Sequence, residues 1–201
     1  MHISEGILSL PILLTGAVVT AGGVALGLRR LTAPHIPETA LLSAAFFVAS
    51  LVHVPLGPSS VHLVLNGLLG LLLGPVAFPA ILVGLFLQAV LFQFGGLTTL
   101  GVNTMNMALP AVLVWLLFSP LVRGERLVPW ASFAAGALAV ALSGLMVAAE
   151  LALSGESFSA AARLVLAAHL PVMVVEGLVT GFIVGFLKKV RPEMLAGGVR
   201  A

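Results

Sequence analysis

The chain has no cysteine and no aspartate, and only 8% of its 201 residues carry a charge. Each shortage closes off a kind of chemistry. Without cysteine there is no disulfide framework, no thiolate metal site and no thiol nucleophile, so any metal ion must be held by nitrogen or oxygen. With seven glutamates spread thinly along the chain, the carboxylate-rich cage that calcium prefers is excluded as well. A soluble domain carries roughly a quarter charged residues. This chain is instead 60% hydrophobic with a mean hydropathy of +1.21, a composition that belongs in a lipid bilayer. The formal charge of +2 and the isoelectric point near 9.9 do not signal nucleic acid, because the nine basic residues sit at the ends of apolar stretches and form no basic face. There is no G-x-x-x-x-G-K-[ST] phosphate loop, so the chain cannot hydrolyse ATP by that route. An H-E-x-x-H metalloprotease motif is also missing, and Ser143-Gly144 lacks the glycine-rich approach of a membrane serine protease. An enzyme is not expected.

What is present is seven apolar stretches near the roughly 20-residue length of a membrane-crossing helix: 7–28, 39–54, 60–73, 76–94, 100–121, 129–152 and 160–187. The third is short, with PLGPSS before it and Gly74-Pro75 after it, and without it the count is six. The basic residues decide between six and seven. With the amino terminus outside, seven crossings put Arg29, Arg30, Arg123, Arg126, Lys188, Lys189, Arg191 and Arg200 inside and leave only Arg163 outside, as the positive-inside rule requires. Fusing the second and third stretches would move the Arg123 loop outside, so the short helix is kept. The expected fold is all-α: a polytopic membrane protein of about seven transmembrane helices, amino terminus outside and carboxyl terminus cytoplasmic, with residues 1–201 as one helical domain. A signal peptide cleaved near Val19-Thr20-Ala21 is the alternative for the first stretch, but no Lys or Arg precedes it and Glu5 makes that end acidic, which favours a retained helix.

On this topology four of the five histidines fall toward the outer face: His2, His53 at the end of the second span, His62 at the start of the third, and His169 in the outer half of the seventh. His35, in TAPHIPE between two prolines, is read as a solvated loop residue. His2 has a particular chemical opportunity. The Met1 amine, the His2 amide nitrogen and its Nδ1 can close a five-membered and a six-membered chelate ring on one metal ion, and the bulk of His2 favours retention of Met1. A deprotonated amide favours square-planar Ni(II) or Cu(II), the metals of tetragonal nitrogen sites. One corner of the square stays open, and His62 in SSVHL is the candidate for it. The plain alternative is an exposed histidine on a frayed terminus, with His62 bonded to Ser59 or Ser60; the residues alone leave both readings standing. His53, Ser60 and Asn103 are candidates for the surroundings that orient a ligating imidazole, His53 also as a substitute ligand. Asn103 and Asn106 lie one helical turn apart in GGLTTLGVNTMNM, placed either to line a polar cavity or to bond neighbouring helices. His169 and Glu176, two turns apart on the seventh span, are functional candidates as intramembrane ionisable residues, or a His–Glu bridge between helices. Gly177, Gly181 and Gly185, and Ala40 with Ala44, form small-residue stripes for close packing against a neighbour inside or outside the chain.

Four segments, taken in order, carry a resemblance: MHISEG, HVPLGPSSVHLVLNGLLGLLLGP, LFQFGGLTTLGVNTMNM and HLPVMVVEGLVTGF. Together they resemble the CbiM/NikM family, the substrate-binding S components of cobalt and nickel energy-coupling-factor transporters, over nearly the whole chain. No single segment is specific; the ordered set is. The resemblance implies that the amino terminus plugs back into the helix bundle and that Met1, His2 and His62 bind the ion. It also implies partners: a transmembrane coupling (T) protein, two cytoplasmic ATPases and, in some systems, a small accessory membrane subunit. That accounts for a transporter chain without an ATP site. The expected function is high-affinity capture of Ni(II) or Co(II) at the outer face of a prokaryotic cell membrane, the ion being cargo and no resident cofactor being needed. The square-planar amide site leans toward nickel. A stand-alone permease or S component for an organic micronutrient, with structural histidines, is the alternative, and a purely structural membrane subunit is a third reading.

Overall fold

The computed structural model describes residues 2–51, 53–56, 59–124 and 128–196, with the backbone alone at 53–56, 59–61 and 196. The apolar stretches are helical because a helix satisfies its own backbone hydrogen bonds where lipid offers no partner. They form α1 (Leu10–Arg30), α2 (Ile36–Ala49), α3 (Asn66–Leu73), α4 (Ala77–Phe92), α5 (Leu100–Arg123), α6 (Val128–Leu153), α7 (Ser159–Val190) and a final turn, α8 (Glu193–Ala196). The all-α architecture is as expected, with one addition. An antiparallel hairpin of β1 (His53–Leu56) and β2 (Ser59–His62) lies between α2 and α3. Five stretches among the described residues are long and apolar enough, by length and composition, to cross a membrane: α1, Asn66–Phe92 (α3 and α4, which turn back on each other at Gly74-Pro75), α5, α6 and Glu156–Val190. The protein is a multi-pass membrane protein.

Side-chain contacts fix the helix directions. Gly16 of α1 lies against Val102 of α5, and Gly27 against Pro75 and Pro79 at the start of α4. Asn106 of α5 bonds Glu150 near the end of α6, and Lys188 of α7 donates to the Arg123 carbonyl at the end of α5, at 2.9 Å. Hence α1, α3, α5 and α7 run one way, and α2, α4 and α6 the other. Arg29, Arg30, Arg123, Lys188 and Lys189 collect in last turns at one end of the bundle, where cations complement the helix dipole. The amino-terminal segment and Arg163 are at the opposite end. Arg126 and Arg200, assigned to the basic side from the sequence, lie outside the described residues.

The third span differs from its expected form. His62 does not begin a helix over 60–73; it ends strand β2, and α3 starts only at Asn66. Likewise α2 stops at Ala49, so His53 opens a strand and does not end a helix. The reason is local: HVPLGPSSVHLV contains two prolines and three valines, and these disfavour helix by removing a donor, forcing extended neighbours and crowding the preceding turn. At about 1.5 Å per residue, α3 is only about 12 Å long, short of a hydrocarbon core of about 30 Å.

All eight residues of α3 are buried, which is why NGLLGLLL carries no charge and only one polar side chain. Leu69 and Leu73 join a core with Phe46, Ile81 and Met107, while Leu68, Leu71 and Leu72 join a second with Val114, Ala135 and Val184. A Cβ on Gly70 would stand 2.1 Å from the Ala111 carbonyl oxygen, so only glycine permits this approach of α3 to α5. On α7, Gly177 and Gly181 serve an internal neighbour, α6, whereas a Cβ at Gly185 would meet nothing within 4 Å. Ala40 and Ala44 border an apolar groove of about 370 Å³ with residues of α1 and α4.

Candidate functional site

The segment ahead of α1 folds back onto the bundle between the end of α4 and the start of α5. Asn103, in the first turn of α5, treats Ile3 as a strand would: its Oδ1 accepts the Ile3 N–H at 2.9 Å and its Nδ2 donates to the Ile3 carbonyl at 3.2 Å. The same Nδ2 lies 3.2 Å from Thr99 Oγ1, which steadies the amide. The Ile3 side chain is wholly buried and joins the core together with Leu8. Glu5 stays at the surface and accepts the Thr98 N–H at 3.0 Å, and that backbone donor holds its carboxyl below the usual range. Gly96 (φ +151°) makes room for this contact, since a Cβ there would stand 2.0 Å from Glu5 Cγ. Asn103 thus fastens the terminus, a use different from both of those expected of it, while Asn106 makes the helix-to-helix bond.

His2 is therefore only 4% exposed, and an exposed histidine on a frayed terminus is not what the structure contains. Its ring lies 4.6 Å, centroid to centroid, from that of His62, which is 3% exposed. Hydrogen bonds set both tautomers. Gln88 donates its amide N–H to the Phe47 carbonyl at 3.2 Å, which turns Oε1 toward His2 Nε2 at 2.7 Å. An amide oxygen only accepts, so His2 carries its proton on Nε2 and the lone pair on Nδ1. His62 Nδ1 lies 2.7 Å from the Leu63 carbonyl, so there the proton is on Nδ1 and the lone pair on Nε2. That Nε2 is buried with no hydrogen-bond partner among the described residues. The lone pairs of the two neighbouring rings thus lie on His2 Nδ1 and His62 Nε2. Among the described residues no three His, Cys, Asp or Glu side chains converge to hold a metal ion, so any donors beyond these have to be of another kind, such as backbone nitrogen. The roles expected of Met1 and of the His53 and Ser60 side chains fall outside what is described; the backbone register sets His53 opposite His62 and Ser60 opposite Pro55.

His169 and Glu176 do not bridge to each other. His169 turns its Nδ1 to the Val165 carbonyl of its own helix at 2.6 Å, and its Nε2 has no partner among the described residues. Glu176 reaches the start of α3, where it accepts the N–H groups of Val64 and Leu65. Asn106 donates to Glu150 at 2.6 Å, a helix-to-helix bond. His35 bonds Thr32 Oγ1 through Nδ1, at a half-buried position away from the paired rings. Gln88 was missed by sequence reasoning, although it is the only polar side chain in AFPAILVGLFLQAVLF, and a lone amide in such a run is a usable signal. Asn66, which donates to Met107 and Ser143, carried the same mark as the one polar side chain of NGLLGLLL.

Comparison with known proteins points in one direction. The model of the CbiM family, described as a cobalt uptake substrate-specific transmembrane region, matches residues 2–194. The chain is 42% identical over 199 residues to a Haemophilus influenzae protein named for metal transport, covering 97% of each. It is 30% identical over 203 residues to an Archaeoglobus fulgidus protein named as a fused nickel transport protein, NikMN, covering 97% of this chain and 68% of that one. A solved structure of a transition metal transporter superposes with a TM-score of 0.84 at 26% identity, over 94% of this chain and 93% of that one.

Proposed function

The chain belongs to the CbiM family of cobalt uptake substrate-specific transmembrane regions, and from that membership we propose that it captures Ni(II) or Co(II) with high affinity at the outer membrane face. The donors are the Met1 amine, the amide nitrogen and Nδ1 of His2, and Nε2 of His62. One observation carries this reading: the buried, adjacent rings of His2 and His62 hold tautomers that leave lone pairs on those same two nitrogens. Three nitrogens from the terminus and one from His62 make a square-planar set, which favours nickel slightly over cobalt. Gln88 and the Leu63 carbonyl then act as the orienting hydrogen bonds that ligating imidazoles need.

The chain works as one helical domain of a prokaryotic plasma membrane, amino terminus outside, since its basic last turns gather at the opposite end of the bundle as cytoplasmic ends do. With no phosphate-loop motif in the sequence, energy comes from partners: a transmembrane coupling protein and two cytoplasmic ATPases, in some systems with a small accessory membrane subunit. The direct test is titration of the detergent-purified chain with Ni(II) and Co(II). About one equivalent bound supports the reading; no binding of either ion overturns it in favour of the organic-micronutrient alternative. Uptake into liposomes separates the modes of coupling: strong uptake by the chain alone identifies a stand-alone permease, and uptake only with the coupling protein and ATPases supports the energy-coupled transporter.

A further inference from the structure

We propose that Glu176 is a positioning residue for the His62 imidazole, holding it from a helix that supplies no ligand; the inference rests on the reading of His62 as a metal donor. Glu176 sits on α7 with none of its surface exposed. Its carboxylate accepts the N–H of Val64 and that of Leu65, the latter at 2.9 and 3.0 Å to its two oxygens. The Val64 N–H and the Leu63 carbonyl belong to one planar peptide unit. On its carbonyl side that unit accepts His62 Nδ1–H at 2.7 Å and the Ser50 hydroxyl at 3.3 Å. The peptide plane is therefore clamped between Glu176 and His62. If the plane turns, both bonds break, and with them goes the bond that keeps the proton on Nδ1 and the lone pair on Nε2. Leu65, at φ +54°, is in a left-handed conformation that a leucine adopts only when its surroundings impose it, and the same carboxylate grips its N–H.

A carboxylate suits the task better than an amide. Both backbone donors bond Oε1, with the Leu65 N–H shared with Oε2, and the amino end of α3, which follows directly, favours negative charge. In Glu176→Gln one oxygen remains but an NH₂ group meets the second position.

The test measures Ni(II) affinity and the His62 ring nitrogen shifts in protein labelled with ¹⁵N-histidine. Glu176→Gln should weaken binding about 10-fold and Glu176→Ala about 100-fold, the range for lost orienting partners, and His62 should change from one tautomer to a mixture. Glu150→Gln removes another buried carboxylate, one bonded to Asn106, and should leave both readouts unchanged. Wild-type affinity and an unchanged His62 tautomer in Glu176→Gln would overturn the inference while leaving the metal reading intact; a wild type that binds no metal overturns that reading instead. Should the Glu176 variants fail to fold, the metal-free wild type still decides, because a His62 protonated on Nε2 is incompatible with the clamp.

Discussion

At the end of the bundle that holds His2, both the folded-back terminus and the stretch between the hairpin and α3 leave helical form, and in each a buried side chain takes up backbone hydrogen bonds. Asn103 does this for Ile3, and Glu176 for Val64 and Leu65. The basic end is built in another way. There, helix runs against helix with little polar mediation: Gly27 meets Pro75 and Pro79, and Gly74 meets the Trp115 ring, as Gly70 meets Ala111 in the middle of the bundle. The contrast teaches where specificity costs stability. Irregular backbone inside a membrane bundle persists only where the protein satisfies it, and each orphaned buried group would cost about 1–3 kcal/mol. The polar residues at the His2 end thus hold up the backbone and aim the imidazoles at once, whereas the small residues at the other end contribute packing alone.

The sharpest way to break this comparison is at the terminus itself. One alanine added ahead of Met1 turns the proposed amine ligand into a peptide nitrogen without altering a side chain, so nickel affinity should fall by more than the roughly 10–100-fold typical of a lost orienting partner, while thermal unfolding stays put. His62→Ala should do the same. Unchanged affinity in the extended protein would refute the amine-ligand arrangement even if both histidines proved to be ligands.

Asn103→Ala comes next. It strands the Ile3 N–H and carbonyl in a buried site, a cost of about 1–3 kcal/mol that should appear mostly as a nickel affinity lower by roughly tenfold or more. A melting temperature that drops with no change in affinity would mean that the residue serves the fold and not the site. Gly70→Val probes the close packing of α3 on α5 that continues into the basic end. Overpacking against Ala111 should cost about 1–3 kcal/mol, read as a lower melting temperature, with the nickel affinity of the folded protein within about twofold of wild type. A large loss of affinity would show that the two ends are coupled through α3.

The smallest effects are expected at the rim. Because the Thr98 N–H holds the Glu5 carboxyl below its usual range, its contribution is complete above the ordinary carboxylate range and is lost as the pH falls through the lowered native value. Glu5→Gln should therefore lower the melting temperature slightly at neutral pH, and the difference from wild type should shrink in acid; a difference independent of pH would place the effect elsewhere. His35→Ala, half-buried at the opposite end of the bundle and bonded through its ring to Thr32, should leave nickel affinity unchanged and stability nearly so in the same assays.

The membrane class, the helical fold, the number of helices and the gathering of basic residues at one end were legible from the sequence, because hydropathy and charge are properties of windows about 20 residues long. So was the pairing of His2 with His62 as candidates, which followed from the chelating chemistry of a second-position histidine and from a family resemblance in ordered segments. Only the tertiary structure decided that the third span is part strand and part helix, since an apolar run of that length reads equally as buried helix or buried extended chain until its neighbours are known. It also decided what Asn103, Gln88 and Glu176 do. Each acts across 41 to 112 residues of sequence, a separation that no local pattern encodes, and each was drawn into place by the need to satisfy buried polar groups once the helices had packed.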